Sequence, residues 1–128
     1  MTNIFQEKLK KENDFYELLQ HDANRLLTQM EKNVAIKSCI TKTRVGCQLT
    51  SEDFDMTLKF ATDYRKTILS LTEGATQAIL RLDALEPHHV IERRERKNTI
   101  VKFQTLIETV EVVDKWLELM QSRKINRE

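Results

Sequence analysis

The chain has almost no helix breakers, with 2 glycines and 1 proline among 128 residues. That scarcity excludes a fold built on tight turns and leaves room for a few long helices with short connections. Aromatic residues supply only 6% of the chain against 40% hydrophobic and 32% charged, which argues against a sheet protein and for a helical bundle or coiled coil. Charge of one sign is lacking too. The 21 basic and 20 acidic residues leave a formal net charge of +1, so there is no global attraction for nucleic acid or an anionic membrane. Any charge-driven partner must be read by local patches. The only cysteines, Cys39 and Cys47, form no CxxC pair and have no histidine or third thiol nearby to complete a metal site. They read as free thiols in a reducing compartment. No apolar run approaches the length of a membrane span, and no charged start precedes an apolar stretch. The expectation is one soluble domain of the cytosol or nucleus.

The apolar residues then set the elements. From Ile4 to Ile40, Leu9, Tyr16, Leu19, Ala23, Leu26, Met30 and Val34 recur at threes and fours, which predicts one long amphipathic helix. Phe5, Phe15 and Leu27 widen its stripe, as packing against two neighbours requires. Acidic residues share its polar face with lysines, which disfavours a helix lying in a membrane interface. Periodicity lapses over 41–51, where Gly46 marks a connection and Thr50 with Asp53 has the spacing of a capping box, Ser51 being the alternative cap. A second helix is predicted from Glu52 to Glu86 on Ala61, Tyr64, Ile68, Leu71, Ala75, Ala78, Leu82 and Leu85. Pro87 ends it, because proline lacks the amide donor and disfavours helix in the residue before it. A third is predicted from Ile91 to Arg123 on Thr99, Phe103, Leu106, Val110, Val113, Leu117 and Met120, its basic end SRKINRE suiting a helix C-terminus. The fold class expected is all-α, an antiparallel three-helix bundle. Residues 1–50 supply the first helix and its loop, and 51–128 supply the other two.

Few residues suggest chemistry. His88 and His89 are adjacent, which points them about 100° apart on a helix, and no further ligand joins them, so they read as a solvated turn. Arg93, Arg94, Arg96 and Lys97 form the one dense basic cluster. Stacking aromatics are missing beside it and nearby acids repel phosphate, so nucleic acid is a poor partner. No phosphate-binding loop, paired nucleophile and base, or metal set can be assembled, and the chain is not read as an enzyme. No cofactor is expected. Gly74, inside the second helix pattern, costs about 1 kcal/mol relative to alanine and reads either as a tolerated glycine or as a place where a partner backbone comes close.

Four further positions stand out in the stretch EGATQAILRLDALEPHHVIERRERKNTIVKFQ. Glu73 and Asp83 are ten positions apart before Pro87, and Arg96 and Gln104 are eight apart after it. Each interval brings a side chain back to within about 80° of its start, so each arm presents its pair on one broad face. The stretch resembles the BAG domain, the helical module by which a group of co-chaperones binds the nucleotide-binding domain of seventy-kilodalton heat-shock proteins. The resemblance rests on that family's four polar contact positions, which fall on Glu73, Asp83, Arg96 and Gln104, and on the framing LRLDAL and RKNTIVKFQ; it covers the C-terminal half. It implies a co-chaperone that promotes ADP release, with Glu73 and Asp83 meeting basic groups of the chaperone, Arg96 and Lys97 meeting its acids, and Gln104 making neutral hydrogen bonds. The reading from another class is a self-associating coiled-coil scaffold, and a homodimer formed by helix exchange is compatible with the long uniform stripes.

Overall fold

A computed structural model describes residues 3–126, with backbone only at Met56, Lys59 and from residue 122 onward. The expectation for the extreme C-terminus, Arg127 and Glu128, lies outside the described residues. All regular structure among the described residues is α-helical: α1 (Ile4–Lys32), α2 (Val34–Arg44), α3 (Ser51–Asp83) and α4 (Val90–Asn126). Among the described residues no helix is long and apolar enough to cross a membrane.

The single long first helix of the sequence reading is broken at Asn33. This residue is extended, with φ −83° and ψ 96°. Its backbone N–H closes α1 on the carbonyls of Gln29 and Met30, while its Oδ1 accepts from the Ile36 N–H and opens α2. Its Nδ2 donates to the Tyr64 hydroxyl on α3 at 3.2 Å, which fixes the kink against the bundle. Short amide side chains compete with the helix backbone in this way. Val34, expected on the buried stripe, is consequently 79% exposed, and Ile36 and Cys39 are buried in its place.

The other boundaries have local causes. Gly46, at φ 79°, ends α2 in a left-handed turn: Cys47 N–H reaches the Lys42 carbonyl and Gly46 N–H the Thr43 carbonyl, the pairing of a Schellman motif. Thr50 rather than Ser51 caps α3, and its capping box with Asp53 is complete. Asp53 also receives Lys42 Nζ at 3.1 Å; the Thr50 N–H, then the Lys42 bond, holds its carboxyl below the usual range. α3 stops at Asp83, earlier than Glu86.

The core follows the stripes. Phe5, Leu9, Leu19, Ala23, Leu26 and Met30 of α1, seven of the predicted α3 positions from Ala61 to Leu85, and Phe103, Leu106, Val110, Leu117 and Met120 of α4 are buried. Phe103 is fully enclosed, with the Tyr16 ring edge-on to it at 5.5 Å and Phe15 at 6.2 Å. Gly74 faces this interior. A Cβ there would lie 3.4 Å from Phe15 Cζ and 3.6 Å from Leu19 Cδ2, so the reading of Gly74 as a partner contact is corrected. It serves the approach of α1.

Candidate functional site

The surface carrying the predicted contact residues is defined by what α3 and α4 spend on holding each other and α1. On α3, Gly74 and Arg81 face α1: Arg81 Nε donates to Glu12 Oε1 at 2.9 Å and its guanidinium lies over the Phe15 ring. Arg65 faces α4, donating to Asp114 at 3.0 Å and to Gln121 at 2.7 Å. Asp83 lies eighteen residues beyond Arg65, about five whole turns, and so in line with it along the α4 side of the helix. Glu73 sits eight residues from Arg65, about 80° further round and away from α1. Both are exposed.

On α4, the line toward α3 runs through Asp114 and Arg96, again eighteen residues apart. Arg96 is half-buried, and its Nη1 donates to the Leu85 carbonyl at 2.8 Å. This carbonyl belongs to the turn, two residues past the last residue of α3, close to a helix C-terminus where a cation is favoured by the dipole. Arg96 is therefore a fastener of the turn between α3 and α4, and the expectation that it lies free on the partner-facing surface is corrected. Lys97 and Gln104, seven residues apart and so within about 20° of one line, point further outward and are exposed. Among the described residues no side-chain hydrogen bond or ion pair engages Glu73, Asp83, Lys97 or Gln104.

The turn itself is fixed by a buried carboxylate that sequence reasoning missed. Glu92 is 1% exposed. Its Oε1 accepts from the His88 N–H at 2.9 Å, and its Oε2 accepts from Asn3 Nδ2 at 3.0 Å and Gln6 Nε2 at 3.5 Å. His89 Nδ1 in turn accepts from the Glu92 N–H at 3.4 Å. Above all the His88 N–H, and then the bond from Asn3 and the nearby His89, hold the Glu92 carboxyl below the usual glutamate range. The signal was legible as the spacing of His89 and Glu92, a capping-box interval with an unusual cap. His88 and His89 thus form a turn, and His89 acts as a helix cap in it. Among the described residues no group of three or more His, Cys, Asp or Glu side chains is placed to hold a metal ion.

Two leucines complete the outward face. Leu69 and Leu80 are exposed on α3, and with Glu73, Thr76 and Asp83 they alternate at intervals of four and three, one continuous strip. The strip was hidden because leucine at these positions reads as a widening of the buried stripe. The arrangement offers a firm two-helix platform with acids and leucines on α3 and a base and an amide on α4. It is suited to docking a protein surface rather than to enclosing a small molecule. No protein-family model, no curated protein and no solved structure matches this chain.

Proposed function

We propose that α3 and α4 form a BAG-like platform that docks on the nucleotide-binding domain of a seventy-kilodalton heat-shock chaperone and promotes ADP release. The observation that supports this reading best is that Glu73, Asp83, Lys97 and Gln104 are all exposed and unengaged on the side of α3 and α4 turned away from α1. The arrangement belonging to this reading is an antiparallel three-helix bundle of α1, α3 and α4. It is supported by residue pairs that run in opposite order along α3 and α4, from Arg96 with Leu85 to Gln121 with Thr62. The same opposition relates α1 to α3, through Glu12 with Arg81 and Asn33 with Tyr64.

The mechanism follows from stiffness. A pair of helices fastened at Arg96–Leu85 and Arg65–Asp114 cannot mould itself to a closed cleft, so it binds the open form of a two-lobed domain better and draws the population there. Nucleotide and platform then oppose each other reciprocally. Glu73 and Asp83 accept charge-assisted hydrogen bonds from basic groups, Lys97 meets an acid, and Gln104 both donates and accepts. Arg96 contributes twice, holding α3 to α4 through one N–H and offering its outward edge to the partner. The function is binding without catalysis. Capture of the purified chaperone on immobilised protein, with and without ADP, tests it: nucleotide-free chaperone is retained and ADP weakens retention. Failure to retain the nucleotide-free chaperone overturns the reading.

A further inference from the structure

α4 turns away from the rest of the molecule a face that is complementary to itself. Val90, Val101 and Val112 are 66%, 46% and 58% exposed. They recur every eleven residues, which returns a side chain to within about 20° of the same line on a helix. That line is opposite the buried side carrying Phe103, Val110 and Leu117, so α1, α2 and α3 leave it uncovered. Charges nearest the valines are arranged with opposite sign about its midpoint: Arg93, Arg94 and Lys97 precede Val101, and Glu108 and Glu111 follow it, with Lys115 beyond them at the far end of the line, all exposed.

Placing a second α4 against this face in the reverse direction, with a two-fold axis at Val101, sets Val101 on its own copy and Val90 on Val112. The same register sets Arg94 against Glu108; Arg93 and Glu111, eighteen residues apart and so on one line of the helix, come to the same flank two residues out of register, about 3 Å along the axis. We propose that two copies of this chain associate through this face of α4, antiparallel and two-fold symmetric about Val101. Every pair off the axis occurs twice by symmetry, so three valine layers are flanked by two facing Arg94–Glu108 pairs, with Arg93 and Glu111 of opposite sign beside them. The parallel alternative places Arg94 on Arg94 and Glu108 on Glu108, and like charges set the direction. One helix pair buries less than a standard protein interface, so the dimer is weak and exchanges subunits readily. It requires no helix to leave its own bundle. It does not rest on the chaperone reading, which is tested at other positions, but Lys97 belongs to both faces, so the two associations compete.

Sedimentation velocity of the full chain from micromolar to near-millimolar concentration tests this. Wild type shifts from monomer to dimer. Arg93→Glu with Arg94→Glu in one variant, and Glu108→Lys with Glu111→Lys in another, convert the flanking pairs to repulsions and each lower self-association by about tenfold or more. Mixed in equal amounts, the two variants associate with each other, because the acidic face of one meets the basic face of the other. All four positions are exposed, and unchanged circular dichroism verifies the fold of each variant. Val101→Glu, which puts two carboxylates on the axis, abolishes association independently of those pairs. Wild type that stays monomeric throughout overturns the proposal. So does self-association unaffected by charge reversal, as an exchanged-helix dimer shows, or a mixture that fails to associate.

Discussion

Arg96→Ala tests the fastening role of this side chain. The substitution removes a charged donor at 2.8 Å from the Leu85 carbonyl at the point where α3 gives way to the turn. A hydrogen bond to an ionised group is worth about 1.5–3 kcal/mol when buried, and the favourable placement of a cation at a helix C-terminus adds about 0.3–1 kcal/mol. Arg96 is only half-buried, so water replaces part of what is lost, and the net destabilisation is about 1–2 kcal/mol. For a chain of this length that lowers the thermal midpoint by about 3–8 °C. The assay is thermal unfolding followed by circular dichroism, beside Lys97→Ala and Gln104→Ala. Those two residues are exposed and unengaged, so their midpoints stay within about 2 °C of wild type. An Arg96→Ala curve that overlays the Lys97→Ala curve refutes the assignment of Arg96 as a fastener.

The other outcomes concern the fold around the platform. Gly74→Ala raises stability by about 0.5–1 kcal/mol, because the helix gains propensity and the new methyl meets Phe15 and Leu19 at ordinary contact distance; a lowered midpoint in thermal unfolding contradicts that. Asn33→Ala removes the cap of α2 and the bond to Tyr64 and costs about 1–2 kcal/mol, read from a lower urea midpoint at unchanged slope. Glu92 and Asp53 both have folded pKa values below their ordinary 4.5 and 3.8. Their contribution is therefore complete above the ordinary values and is lost as the pH falls through the depressed ones. Urea unfolding across that acid range shows a steeper loss of stability in wild type than in Glu92→Gln with Asp53→Asn, and parallel profiles contradict the linkage.

The long helical stripes were legible because a period of three and four residues is imposed by burial along one side of a helix, and burial follows it at nearly every position from Ala61 to Leu85 and from Thr99 to Met120. The capping box at Thr50 and Asp53 was legible for the same local reason. The break at Asn33 was not, since Val34 continues the apolar spacing and only the geometry reveals that the Asn33 side chain has replaced a turn of helix. Of the two readings of Gly74, the one that sets it against a partner fails, because one residue along a helix rotates the side chain by about 100° and Gly74 faces α1 where its neighbour Glu73 faces outward. Arg96 and Glu92 show the limit for charged residues. Sequence identifies an available charge, but whether it meets a partner protein or the chain's own leftover carbonyls and N–H groups is decided by the turn at Pro87, whose path no periodicity encodes.

Docking of this face of α3 and α4 on the chaperone is read out by the rate at which a labelled ADP leaves the purified chaperone. Wild-type protein accelerates release. Lys97→Ala combined with Gln104→Ala, which leaves the fold intact, weakens that acceleration about tenfold or more in the concentration required, as the loss of one charged and one neutral contact implies. Glu73→Lys weakens it likewise by placing a cation where the chaperone presents one. Release that wild type leaves unchanged, or that the variants accelerate as well as wild type does, contradicts the claim that this face of α3 and α4 docks on the chaperone.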